Sequence, residues 1–287
     1  MAEPILLALL ASACIGLGLV VTQFGLRHIA AADGALVSIP AATALFWVLS
    51  PFHLDLGGWQ LHAAAIFALV GLFFPAAVTL LTFEANQRMG PAVAGAIGGT
   101  TPLFAAAAAV LFLGERLTPL MAVATLAVVA GIATLSWQPK TSGRWPARLL
   151  LLPLTVAALR GLAQAVTKVG LALWPSALAA SLIGYSVSVV TVLVGARLRR
   201  GRVRPSCNVK GVLWFALVGL CNGAGVLATY AALNVGTVTI VAPLVATYPM
   251  WALLLGALML PGQPVTAQNA LGSALTVSGV VGLLLAR

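Results

Sequence analysis

Ten stretches of about 20 mostly apolar residues, parted by short polar breaks, run the length of this chain and leave it few folds to choose from. They fall at 4–24, 35–52, 59–83, 91–113, 119–137, 149–170, 175–197, 211–233, 237–260 and 266–286. Each is long enough to cross a bilayer as a helix, and none alternates as a barrel strand would. Only 7% of the residues are charged, against about 25% in a soluble domain, so the chain could not clothe a water-facing surface. The expectation is an all-α polytopic membrane protein. The leader MAEP holds Glu3 and no Lys or Arg, so the first run is expected to stay as a membrane helix and not to be a cleaved signal.

The chain also repeats itself. FALVGL occurs at 67–72 and again at 215–220. VTQFGL at 21–26 matches VTKVGL at 166–171, and TTPLF at 100–104 matches TYPMW at 247–251. The stretch at 117–131 follows the same plan as that at 265–279. The matches keep chain order, as duplication followed by loop trimming would leave them. Residues 1–137 and 148–287 are therefore two five-helix units, joined by a polar linker at 138–147. Five is odd, so the second unit enters the membrane from the opposite side. Inverted repeats of this kind build transporters with a site near the bilayer midplane.

These residues carry a resemblance. LFLGERLTP at 111–119, the G-x5-T-[QK]-x-G-L pattern of spans one and six, and the paired proline motifs of spans four and nine resemble the EamA-type repeats of the drug/metabolite transporter superfamily. The resemblance covers essentially the whole chain. It implies secondary transport or export of a small metabolite, as in the bacterial amino-acid exporters, and hence a bacterial cytoplasmic membrane. It also implies a cavity lined by helices one to four and six to nine, with five and ten peripheral. Two departures bear on the substrate. A Trp-Gly pair common in the family's first helix is Ile15-Gly16 here and Arg160-Gly161 in the second unit, and the Gly-Glu of the first junction becomes Gly262-Gln263 in the second.

Arg160, Gln164 and Lys168 recur every four residues, on one face of span six. Arg at mid-span costs about 2.5–3.5 kcal/mol, so Arg160 must face protein or water. A guanidinium without an acid at its depth is a receptor for carboxylate or phosphate, with Gln164 orienting the ligand. Lys168, near the helix end, either joins them or snorkels to the interface. Thr22 and Gln23 match Thr167 and Lys168 across the repeat and are expected at the same cavity. Asn222 and Tyr230 share a face of span eight, and Tyr185, Tyr248 and Trp251 are either cavity aromatics or part of the packing and the interfacial aromatic belt. Glu84 is either a proton-coupling carboxylate or an interfacial partner of Arg88. Pro102, Pro243 and Pro249 break the regularity of spans four and nine and are candidate hinges. At the first junction, Thr118 and Pro119 read as a helix start, with Glu115 and Arg116 as a solvated ion pair outside the site.

Other classes find little support. His28, His53 and His62 have no Cys, Asp or Glu at ligand spacing, so neither a metal centre, a cofactor nor catalysis is expected. Cys14, Cys207 and Cys221 are too scattered for a disulfide framework. Two alternatives to metabolite transport stand: a multidrug exporter of lipophilic compounds, whose cation chemistry wants a carboxylate that span one lacks, and a membrane scaffold, which leaves Arg160 without a purpose. The net charge of +10 owes most to RLRRGRVR at 197–204, which suits anionic lipid and not nucleic acid. Most Lys and Arg lie in loops 1–2, 3–4, 5–6 and 7–8, which by the positive-inside rule puts those loops in the cytoplasm and both termini outside. A duplicated chain supplies its own pseudo-dimer, so a monomer suffices.

Overall fold

A computed structural model of the protein describes residues 3–89, 91–136, 146–200, 208–259 and 266–286. Among them are thirteen helices and no strand: α1 Glu3–Gly25, α2 Ala31–His53, α3 Leu61–Phe73, α4 Ala76–Met89, α5 Pro91–Gly98, α6 Thr101–Leu113, α7 Pro119–Ser136, α8 Ala147–Leu173, α9 Ala177–Arg200, α10 Val209–Val235, α11 Val238–Val245, α12 Tyr248–Met259 and α13 Ala267–Leu285. They make ten segments long and apolar enough to cross a membrane. Seven are single helices, while α3–α4, α5–α6 and α11–α12 are each two helices in series. The 138–147 linker up to residue 145, Gly262-Gln263, Cys207 and the basic loop from residue 201 lie outside the described residues.

Local chemistry sets the helix ends. Asn208 accepts from the Lys210 and Gly211 amides at the start of α10, and Thr266 accepts from Asn269 at the start of α13. Thr118 accepts from Met121 at 3.2 Å with Pro119 first in α7, as the sequence leads one to expect. At the end of α6, Gly114 takes the left-handed conformation (φ 64°). Glycine adopts it without a Cβ penalty, and the turn frees Glu115 from the helix.

The two units interlock. The first span of each packs on the third and fourth spans of the other: α1 on α10, α11 and α12, and α8 on α3, α4, α5 and α6. Spans two and seven pair across the repeat, as do five and ten (α2 with α9, α7 with α13). Close approaches recur with the repeat. Gly170 lies against the ring of Phe67, and its mate Gly25 lies against the ring of Phe215, mate of Phe67. Gly71 meets the Gly184 carbonyl as Gly219 meets that of Ser38. Gly131 meets Gly272 and Thr276, while Gly279 meets Ala124 and Val128. FALVGL is thus written twice because its Phe and Gly dock each third span onto the opposite unit. In lipid, where burial offers no hydrophobic gain between helices, such backbone approach is what holds them.

The membrane faces differ in what they carry. One, the junction face, holds residues 54–60, 114–118, 174–176 and 236–237. The other, the linker face, holds 26–30 and the ends of α4, α7, α9 and α12, with the starts of α5, α8, α10 and α13.

Candidate functional site

Spans four and nine are broken in the same way. In each, a threonine leaves the helical ladder: the Thr100 amide donates to Ile97 O at 3.0 Å and the Thr247 amide to Leu244 O at 3.2 Å. Their hydroxyls donate to those same carbonyls, both at 2.7 Å. Three residues on, Leu103 and Met250 donate back to Thr100 O and Thr247 O, both at 2.9 Å. Pro102 and Pro249 stand second in the helices that follow, where they have no N–H to close the gap. Pro243 lies inside α11. Such breaks are tolerable at membrane depth where backbone faces protein or a wet cavity. The third break, in span three at the cis Phe74-Pro75 bond, departs from the continuous helix expected over 59–83. Pro75 has no amide to return to the ladder, so α3 stops and α4 begins afresh.

The three breaks meet at a cavity of about 180 Å³ near mid-membrane depth. Span three brings Phe74, Pro75 and Thr79, span four Gly98, Gly99 and Thr101, and span nine Val245, Ala246 and Tyr248. Spans one, six, seven and eight complete it with Ile15, Arg160, Gln164, Tyr185, Asn222, Thr229 and Tyr230. Spans five and ten stay outside, as expected, and so does span two, which was expected to line it. Among the described residues, Arg160 is the one charged residue in the lining and no carboxylate accompanies it. Its Nε is buried with no hydrogen-bond partner, and so is Oε1 of Gln164 one turn away. Gly161 lets this part of α8 approach Phe104 and Ala105 directly, which sets the depth of Arg160. A second recess, of about 510 Å³, sits at the junction face against His53, Asp55 and Trp174, apart from the cavity.

The structure therefore brings Arg160, Gln164, Asn222, Tyr230 and Tyr248 together and leaves other candidates elsewhere. The Thr22 hydroxyl donates to Gly18 O of its own helix at 2.7 Å, and Gln23 is exposed. Lys168 reaches the junction face, where Nζ donates to Leu233 O at 2.6 Å and to Asn234 O at 3.4 Å. Glu84 pairs with Arg88 at 2.5 Å on the outside of α4. Of the three candidate aromatics, Tyr185 and Tyr248 line the cavity and Trp251 does not. Thr79 and the span-three break enter it with no periodic signal to announce them, although Pro75 marks the break.

Glu115 is the largest surprise. It is not a solvated partner of Arg116: its carboxylate accepts from the Val238 and Thr239 amides at 2.8 and 2.9 Å, capping α11 in the other unit. All eight residues of α11 are buried. Its mate α5 is different, for of residues 93–98 only Ala94 is buried. On the junction face α6 packs on α11, and α8 on α10 and α11. The related pairs on the linker face, α12 with α5 and α1 with α4 and α5, make no comparable contact.

Inverted five-helix repeats around a mid-membrane cavity define a polytopic membrane protein of transporter architecture. The chain belongs to the EamA-like transporter family, which matches residues 3–137 and 147–285, and is thereby a membrane transporter of the drug/metabolite type. A solved crystal structure, described only as that of a protein, is similar with a TM-score of 0.79 over 100% of this chain and 98% of its own, at 18% identity. No curated protein matches the chain by sequence.

Proposed function

We propose that the protein moves a small anionic or zwitterionic metabolite, such as an amino acid, as an exporter or exchanger working by alternating access. The observation that carries the reading is Arg160: a guanidinium at mid-depth, facing a cavity shared by both units, with no carboxylate in the lining. A bound carboxylate would satisfy Nε and a terminal nitrogen together, in the bidentate geometry that favours Arg over Lys. Gln164 and Asn222 offer amides, and Tyr185, Tyr230 and Tyr248 offer phenols, to the rest of the solute. Volume supports the same reading. Pockets that take drug-sized ligands measure about 300–1,000 Å³, so a cavity of about 180 Å³ suits a metabolite of few heavy atoms. A lipophilic cation would meet a like charge there.

Alternating access is supported by the unequal packing of equivalent helices. Two units of one plan, tight at the junction face and loose at the linker face, are what one of two exchanging states would look like. By the distribution of Lys and Arg, the linker face is cytoplasmic in a bacterial inner membrane.

A thermal-shift screen tests the substrate class. Amino acids, organic acids and phosphorylated metabolites are compared with lipophilic cations, on the native protein and on Arg160→Ala. A ligand bound by the folded state alone raises Tm by mass action. An anionic or zwitterionic solute should raise it in the native protein and not in the variant. Stabilisation by lipophilic cations in both would count against the reading.

A further inference from the structure

Resting on the alternating-access reading, we propose that Glu115 and Lys168 form a two-sided latch that holds the junction face shut and must release for each transport cycle.

Packing divides the protein into two bundles, α8 with α3–α6 and α1 with α10–α12. Both latch residues belong to the first bundle. Glu115 follows α6, and Lys168 lies on α8. Both grip the same corner of the second bundle, where α10 ends and α11 begins. Lys168 holds the carbonyl end of α10 through Leu233 and Asn234. Glu115 holds the amide end of α11 through Val238 and Thr239. Each charge sits at the helix terminus it suits, a cation at the carbonyls and an anion at the amides. Charge-assisted bonds of this kind are about twice as strong as neutral ones. Between the two grips the chain passes through Gly236 and Thr237. The Asn234 amide adds a bond to Pro175 O at 3.1 Å, tying the corner to the end of span six.

The repeat supplies the comparison. The mate of Lys168 is Gln23, a neutral amide that stands exposed near the linker-face end of α1 and caps nothing. The first of the two amides that Glu115 holds, at Val238, has Pro91 as its mate, which has no N–H to offer. A linker-face closure built on the same plan would lack the cation and one backbone donor. The latch therefore biases the resting protein toward the state closed at the junction face, and the bias is written in the sequence differences between the units.

Pulsed EPR distances on the full chain in nanodiscs test this, with the native cysteines replaced. One label pair, at Arg116 and Val235, spans the bundles on the junction face. The other, at Leu26 and Arg88, spans them on the linker face. Glu115→Gln and Lys168→Met should each shift population toward a longer junction distance and a shorter linker distance, and the double variant further. Gln23→Lys, which gives the linker face its missing cation, should shift it the same way without disturbing α11. A junction pair that lengthens while the linker pair stays put would mark Glu115 as a helix cap only and overturn the latch. Populations that exchange in the native protein but are untouched by all these substitutions would overturn the latch and leave alternating access standing. A single fixed pair of distances in every protein, native included, would overturn both.

Discussion

Gly161 lies so close to Ala105 that a Cβ on it would sit 2.6 Å from the Ala105 backbone nitrogen. Its mate Gly16 stands likewise, 2.7 Å from Trp251 Cβ and 2.8 Å from Tyr248 O by the same construction. In both units the residue beside the glycine, Ile15 or Arg160, lines the cavity. The approach of first span to opposite fourth span thus sets where those side chains project.

Gly161→Ala should therefore do two things at once. Forcing a methyl against backbone costs about 1–3 kcal/mol, read as a lower Tm. Because Arg160 moves with the helix, ligand-induced stabilisation should fall by more than the loss of Tm explains. A neutral Gly161→Ala would show that α8 is not fixed by this contact.

The repeated docking of the third spans predicts paired effects. Gly71→Ala and Gly219→Ala each place a Cβ on a carbonyl of the opposite unit, Gly184 and Ser38 respectively. Each should destabilise by about 1–3 kcal/mol. The sites share no partner, so the double variant should lose about the sum. Thermal unfolding of the three proteins checks this.

The broken span nine is tied to span one through a hydroxyl pair, Ser12 with Thr247 at 2.8 Å. Ser12→Ala leaves Thr247 its bond to Leu244 O and should cost about 1 kcal/mol. Thr247→Val removes both bonds and leaves Ser12 buried without its partner. It should cost more than Ser12→Ala, a ranking that chemical or thermal unfolding can read.

The charge distribution predicts sidedness. A single cysteine at Gln60, exposed on the junction face, should react with a membrane-impermeant maleimide in intact cells. One at Arg27, exposed on the linker face, should react only after the membrane is opened. The reverse pattern would invert the orientation and leave the fold unchanged.

Much of this was legible in the sequence, because membrane helices announce themselves by length and hydropathy, and duplication by matched words. The breaks of spans four and nine were legible for the same reason, as paired Thr and Pro at equivalent places. Arg160 stood out since a cation at mid-span has few places to go. Lys168 and Glu115 were harder. A lysine one turn from a helix end can reach lipid headgroups or a neighbouring carbonyl, and nothing local decides between them. The partners of Glu115, Val238 and Thr239, lie in the other unit and reach it only through the packing of α6 on α11. The span-three break hid because prolines elsewhere, such as Pro153 in α8, sit inside continuous helices. The residue type alone does not fix the outcome, and the neighbours in space do.

The central claim is that Arg160 receives an anionic or zwitterionic solute on its way across the membrane. Its most direct test is exchange in proteoliposomes, in which uptake of labelled amino acids, organic acids and lipophilic cations is compared for the native protein, Arg160→Lys and Arg160→Ala. The account predicts saturable uptake of at least one carboxylate-bearing solute, reduced in Arg160→Lys and abolished in a folded Arg160→Ala. Uptake of lipophilic cations that persists in Arg160→Ala, with no carboxylate transported by the native protein, would contradict it.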